Sequence, residues 1–188
     1  LAQKITDIHK PIIVKAAKGN AKAQRNLYEL YAKAMFNICY RMMNSIEDAE
    51  DMLQEVFCEA FKRLDSFRFD STFGAWIKRI CINKCINELK RRKLNLELNE
   101  EITPDAMQDD VEETNDIELK VEHIKHAMGM LPHGYRIVFS LYMLEGYDHQ
   151  EIADIMQITV STSKSQLARA KKKLLEILKA GSMELTLN

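Results

Sequence analysis

With 188 residues, six glycines and three prolines, the chain has room for one large or two small domains, and too few turn residues for a β-sandwich or barrel. Its 27 Lys and Arg and 28 Asp and Glu sum to −1, yet ten of the acids and none of the bases lie between Asn95 and Glu118. The remainder therefore carries 27 basic against 18 acidic residues, a basic body with an acidic insert that suits a binder of polyanions.

No apolar run approaches the ~20 residues that cross a bilayer, and LAQKITDIHK lacks the apolar core of a secretory leader. Four cysteines without a CxxC pair fit a reduced, cytoplasmic protein, with Cys39, Cys58, Cys81 and Cys85 read as small buried hydrophobes.

The first predicted helix spans Asn20 to Met43, where Leu27, Leu30, Tyr31, Ala34, Met35, Ile38, Cys39 and Met42 recur at helical spacing. Asn44-Ser45 breaks the pattern, and Ser45 with Asp48 resembles a capping box. A second helix follows to about Leu64, with Ile46, Ala49, Leu53, Val56, Phe57, Ala60 and Phe61 on its apolar stripe. Its other face carries six carboxylates between Glu47 and Glu59 and no basic residue. Like charges at i,i+4 repel by a few tenths of a kcal/mol, so either a basic partner covers this face or it is simply solvated.

An aromatic loop, Asp65 to Asp70, leads to a third helix capped by Ser71 or Thr72 and reaching about Lys93. That helix carries Lys78, Arg79, Lys84, Lys90, Arg91, Arg92 and Lys93 against Glu88 alone, with Phe67, Phe69, Phe73 and Trp76 beside its start. Charges that track phosphate beside rings that stack on bases are what single-stranded nucleic acid requires. Phe67 and Phe73 are read as core; Lys78, Arg79 and Asn83 are read as contacts.

Residues 95–118 are acidic, contain Pro104 and show no sustained apolar period, and are read as a flexible tether. Helical patterning resumes at Ile117. Tyr135 to Leu144 is a strongly apolar helix, and Asp148 to Gln157 is another. Thr159 caps a last helix running to about Lys179. Ile152, Ala153, Met156, Ile158 and Leu167 fall where a helix-turn-helix buries its contacts. Ser161, Thr162, Ser165, Gln166 and Arg169 then face outward with groups that suit base edges in a major groove. Lys164, Arg169, Lys171, Lys172 and Lys173 suit phosphates. The fold expected is all-α: two small helical domains joined by an acidic linker, the second a helix-turn-helix.

Catalysis has no support. A glycine-rich phosphate loop and GxSxG are both absent, and His123 with His126 lacks the further ligands of a zinc set. Cys81 and Cys85 share a helix face and are read as packing. The expectation is a non-enzyme with no cofactor and no metal.

In order, SIEDAEDMLQEVFCEAFKRL, FGAWIKRICINKCINELKRRK and LPHGYRIVFSLYMLEGYDHQEIADIMQITVSTSKSQLARAKKKL resemble the sigma factors of bacterial RNA polymerase, in their extracytoplasmic-function group. The resemblance covers about Lys18 to Leu178. It implies a promoter-specificity subunit with region 2 over residues 1–94, a linker over 95–118 and region 4 over 119–188. Docking on the clamp helices of the polymerase β′ subunit would then fall on Glu50, Asp51, Gln54, Glu55 and Phe57. Reading and melting of the minus-ten element would fall on Phe69, Trp76, Lys78, Arg79, Asn83 and Lys84. Duplex readout of the minus-thirty-five element would fall on Thr162, Lys164, Ser165, Gln166, Arg169 and Lys172.

The resemblance further implies contact of Tyr135–Leu144 with the β flap, an anti-sigma factor as partner, no membrane insertion and a monomeric free state. Two departures stand out. The family's turn usually carries Gly where this chain has Gln157, so an altered turn is expected there. It usually buries an aliphatic residue where Ser163 stands, so looser packing is expected and the register of base contacts stays open by one position. The competing readings are a conventional dimeric helix-turn-helix regulator and a helical adaptor that binds only proteins.

Overall fold

The computed structural model describes residues 7–98 and 116–185, with side chains placed for 7–93 and 121–180. Every regular element among them is helical, and none is long and apolar enough to cross a membrane. The chain divides into two compact units, Leu1–Lys93 and Leu94–Asn188.

The first unit begins with a helix that the sequence pattern did not announce, α1 (Lys10–Ala17), with Pro11 in its first turn. Proline is tolerated there because the missing N–H would be unpaired anyway. Helix α2 (Ala21–Met43) starts at Asn20, whose side-chain oxygen accepts from Ala23 N at 2.9 Å, and ends in left-handed backbone at Asn44. Its buried face is Leu27, Met35, Ile38, Cys39 and Met42. Leu30 and Ala34, expected on the same stripe, are exposed. The stripe read from spacing was wider than the face that neighbours cover.

Helix α3 (Ile46–Lys62) starts at Ser45, whose Oγ accepts from Asp48 N at 3.1 Å. The Asp48 carboxylate does not close a capping box: it accepts two hydrogen bonds from Arg92. Cys58 lies on the exposed side of α3, not in the core as expected. After a short 3₁₀ turn (Leu64–Ser66), Thr72 caps α4 (Phe73–Leu98), its Oγ1 accepting from Ala75 N at 3.2 Å.

A second cap comes from far along the chain. Buried Asp7 accepts from Phe73 N at 2.6 Å and from His9 N at 2.8 Å, so the approach to α1 is fastened to the start of α4. A carboxylate at a helix N-terminus satisfies an orphan N–H and favours the dipole.

Helix α4 is held against α2 by Cys39 and Cys81 and against α3 by ion pairs. Arg92 spans Asp48 on α3 and Glu88 on its own helix, while Arg91 takes the other side of Glu88. Hydrogen bonds from Arg91, then Arg92, outweigh the cost of burial and hold Glu88 at about 2, against an ordinary 4.5. Arg92 likewise holds Asp48 below its ordinary value.

A carboxylate with a depressed folded pKa contributes stability that is complete above its unfolded pKa and is lost as protons bind the folded state. Thermal stability of the first unit should therefore fall between about pH 4.5 and pH 2. Glu88→Gln should be less stable than the parent at pH 7, with the gap closing by about pH 2. Melting curves of both proteins by circular dichroism at several pH values test this; a constant gap would contradict it.

In the second unit, α5 (Asp116–Gly129) and α6 (His133–Phe139) are joined at Leu131-Pro132. Buried Arg136 donates to the carbonyls of Leu131 at 3.0 Å and Gly129 at 3.3 Å, closing the C-terminus of α5. The helix expected over Tyr135–Leu144 widens at Ser140 into a π-turn, where Glu145 N reaches back five residues to Ser140 O at 3.1 Å. The wider turn leaves Tyr142, Met143 and Leu144 exposed while Leu141 stays buried.

Helix α7 (His149–Met156) opens with a complete capping box between Asp148 and Glu151. Helix α8 (Val160–Leu185) is capped by Thr159, which accepts from Thr162 N at 3.0 Å. Ile152 and Ala153 of α7 and Leu167, Ala170 and Leu174 of α8 are buried in the core of the second unit.

Both anticipated irregularities resolve in favour of the regular motif. Gln157 adopts φ 58° and ψ 48°, the left-handed turn that glycine would make, and its N–H and that of Ile158 both return to Ala153 O. The left-handed conformation costs a non-glycine residue about 1–2 kcal/mol, partly offset by its lower unfolded-state entropy. Gln157→Gly should therefore stabilise the second unit by about 1 kcal/mol in urea melts; a destabilised variant would contradict this.

Ser163 is fully buried and bridges α8 to α7 through His149 Nδ1, 2.9 Å from its Oγ. Tyr142 stacks on the same imidazole at 4.6 Å. A satisfied polar contact thus replaces the aliphatic one, and the packing is not loosened.

Candidate nucleic-acid interface

Helix α4 owes its position to residues on both of its sides. Phe73 and Ile77 are fully buried, so the opposite face, with Arg79, Asn83 and Asn87, must point outward. Beside α3 this face forms a groove of about 740 Å³ whose lining includes Trp76, Arg79, Asn83, Lys84, Glu55 and Arg63. The groove mixes signs. Lys84 pairs with Glu55 at 3.0 Å, Arg63 with Glu59 at 3.5 Å and Arg91 with Glu88 at 2.7 Å. Arg79 has no carboxylate partner among the described residues, so its charge is open to an incoming anion.

Trp76 is half-buried at the head of the groove, its ring 5.2 Å from Phe67 and 5.7 Å from Phe73. Phe67 and Phe73 are core, as the sequence suggested. Phe69 lies in the loop before α4 with φ +61°, a conformation seldom taken by an aromatic residue. Its ring sits 4.7 Å from Phe67, and the Lys10 ammonium lies 5.2 Å from the ring centre. One of the two contacts that hold Phe69 in this posture, the Lys10 ammonium, comes from α1, the element the sequence did not signal. The aromatic loop and Trp76 thus form one continuous ring cluster at the head of a mixed-charge groove in which Arg79 is open, so unpaired bases can stack on the rings and a phosphate can meet Arg79. Lys78 is half-buried and already engaged.

The acidic face of α3 is partly neutralised within the chain. Arg92, Lys84 and Arg63 take Asp48, Glu55 and Glu59. Glu50, Asp51 and Gln54 remain exposed, and neither carboxylate has a cationic partner among the described residues. Phe57 does not belong to this face. It is buried, 4.8 Å from the Tyr28 ring and 5.7 Å from Phe61, and packs α3 on α2.

On α8 the six candidate residues separate into two groups. Lys164, Arg169 and Lys172 are exposed and project into solvent. The hydroxyl of Thr162 is engaged with Thr159 at 2.8 Å, and Ser165 donates back to Thr162 O at 3.0 Å. Gln166 lies on the inner shoulder of the helix: its amide packs over Gly134 of α6, where a Cβ would stand 3.4 Å from Oε1. The spacing of α8 gave the outer face correctly for the cations. It could not reveal that a glycine on α6 leaves a seat for the Gln166 amide.

Comparison with known proteins shows the family to which both units of the chain belong. The Sigma-70 region 2 model matches residues 27–94 and the Sigma-70 region 4 model residues 122–174, together well over half of the chain. The chain is 28% identical over 172 residues to the ECF RNA polymerase sigma factor SigW of Bacillus subtilis, covering 86% of this chain and 92% of that one. It is 28% identical over 182 residues to the ECF RNA polymerase sigma-E factor of Escherichia coli, covering 92% and 94%.

Among solved structures it resembles the sigma factor RpoE of Bartonella quintana in complex with the anti-sigma factor NepR. The TM-score is 0.58 at 24% identity, over 82% of this chain and 96% of that one. It also resembles CnrH in complex with the cytosolic domain of CnrY, with TM-score 0.55, 25% identity and coverage of 93% and 99%. With both family regions matched in order and relatives aligned along most of their length, the chain belongs to the sigma-70 family, in its extracytoplasmic-function group.

Proposed function

We propose that this chain is a promoter-specificity subunit of bacterial RNA polymerase, which binds the core enzyme and directs initiation at a dedicated set of promoters. The observation that carries this reading is the pairing, within residues 1–94, of an exposed carboxylate face on α3 with a groove on α4 that sets the Trp76 ring beside the open charge of Arg79. A protein that acted on duplex DNA alone would have no use for either.

In this reading Glu50, Asp51 and Gln54 dock on the β′ clamp helices, with Glu55 at the edge. Trp76, Phe69, Arg79, Asn83 and Lys84 take the melted minus-ten strand, where flipped bases stack on rings and phosphates meet cations. Residues 119–188 read the minus-thirty-five element as duplex. Arg169 reaches base edges, Lys164 and Lys172 hold phosphates, and Thr162, Ser165 and Gln166 set the helix in place. The exposed Tyr142, Met143 and Leu144 meet the β flap.

The acidic stretch over residues 95–118 is helical at its two ends, over 95–98 and 116–118, where a tether was expected; its middle lies outside the described residues, and its charge mimics nucleic acid in a basic channel. The free protein is a cytoplasmic, monomeric non-enzyme. An anti-sigma factor covers its polymerase-binding surfaces, a proposal supported by the complex of the structural relative RpoE with the anti-sigma factor NepR.

The test is a footprint on promoter DNA with the chain alone, with core polymerase alone and with both. Protection of both promoter elements only in the combined reaction is expected. Tight, sequence-specific protection by the chain alone, as a dimer on a palindrome, would instead establish an ordinary helix-turn-helix regulator.

A further inference from the structure

Three cysteines that the sequence presents as scattered converge inside the first unit. Cys39 comes from α2, and Cys81 and Cys85 come from successive turns of one α4 face. Each is fully buried. Their sulfur atoms all lie within 4.8 Å of one another, with Cys39 and Cys81 at 3.3 Å. An ion bound by thiolates at ~2.3 Å holds its sulfurs about 3.8 Å apart in tetrahedral and about 4.0 Å apart in trigonal geometry. The Cys39–Cys81 pair lies closer than either spacing and no pair exceeds 4.8 Å, so side-chain adjustments of up to about 1 Å would seat an ion.

The donor set selects the ion. Three sulfurs, joined by no His, Asp or Glu among the described residues, suit a thiophilic metal and not a hard, oxygen-seeking one. Charge narrows the choice. Three thiolates around a divalent ion leave one net negative charge in a dry core, whereas a monovalent ion leaves two, and buried charge is costly. Two ligands at i and i+4 on one helix already share a face, and the third is fixed by the packing of α2 on α4. Ordinary packing accounts for one buried cysteine; it gives no reason for three sulfurs from two helices to meet at one point.

We propose that Cys39, Cys81 and Cys85 form a three-thiolate site for one soft divalent metal ion of the Zn(II) and Cd(II) class, which ties α2 to α4. The site requires no part of the promoter reading. Binding displaces thiol protons, so affinity rises with pH. With no surface exposure at any ligand, uptake is expected during refolding or local opening and not by simple diffusion into the native core.

The experiment uses the full chain, reduced and handled without oxygen, with exposed Cys58 replaced (Cys58→Ser) so that only the cluster reports. Refolding with Cd(II) alone should give a thiolate-to-metal charge-transfer band that saturates at one equivalent, with three sulfur neighbours by X-ray absorption. Cys39→Ser, Cys81→Ser and Cys85→Ser should each weaken cadmium binding at least tenfold, and circular dichroism shows whether each has folded.

If a serine variant fails to fold, the sulfur count in the Cys58→Ser protein decides. Fewer than three sulfurs, no band, cadmium binding at the parent affinity in folded cluster variants, or recovery of the thiols only as a Cys39–Cys81 disulfide would overturn the site.

Discussion

Glu50→Lys combined with Asp51→Lys should lower affinity for core RNA polymerase at least about a hundredfold, about 2.7 kcal/mol, while leaving the fold intact. Both side chains are exposed on the outer face of α3 and lack cationic partners among the described residues. Their replacement therefore removes no intramolecular ion pair, and surface changes of this kind usually stay within about 0.5 kcal/mol of stability. At a docked charge pair, truncating one partner costs about 2–5 kcal/mol, and reversal adds like-charge repulsion.

Asp48 would be a poor choice for this test, because its loss also strands Arg92 and mixes folding with docking. Fluorescence anisotropy of the labelled chain with core polymerase measures the affinity, and circular dichroism the fold. Unchanged affinity in a folded variant would remove α3 from the docking surface.

The second large effect is expected at Trp76. Trp76→Ala should leave core binding near the parent level and reduce open-complex formation by at least about tenfold, since one base stack is worth ~1–3 kcal/mol. Trp76 walls the groove beside Arg79 and Asn83, and its ring rests on Phe67 and Phe73. Truncation also opens a gap against those rings, so Trp76→Phe is the necessary companion. It restores a stacking surface and should recover most of the activity. Permanganate reactivity of unpaired thymines, measured with the holoenzyme on promoter DNA, reports melting directly. Equal melting by parent and Trp76→Ala would show that the ring is only part of the core.

The helical architecture was legible because α2, α3, α7 and α8 each carry a periodic apolar stripe and a recognisable cap at Asn20, Ser45, Asp148 or Thr159. What escaped was set by contacts distant in sequence. Helix α1 is short and acquires its role through Asp7 reaching the N-terminus of α4, 66 positions away. The π-turn at Ser140 interrupts a run whose apolar character reads the same in either geometry. Leu30 carries an apolar label at the right spacing, yet no neighbour covers it.

The site was legible as a composition and less so as a geometry. Aromatics beside cations marked α4, but the pairing of Lys84 with Glu55, which leaves Arg79 as the open charge, depends on how α3 lies against α4. Phe57 shows the converse: the family resemblance implied a contact, whereas its place on the apolar stripe of α3 turns the ring inward.

Run-off transcription with purified core RNA polymerase, this chain and a pool of promoters from its source genome tests the central claim most directly. The account predicts discrete transcripts that vanish when the chain is omitted, and that are lost when Glu50→Lys with Asp51→Lys replaces the parent. Failure of the chain to bind core polymerase, together with no transcript dependent on it, would contradict the account.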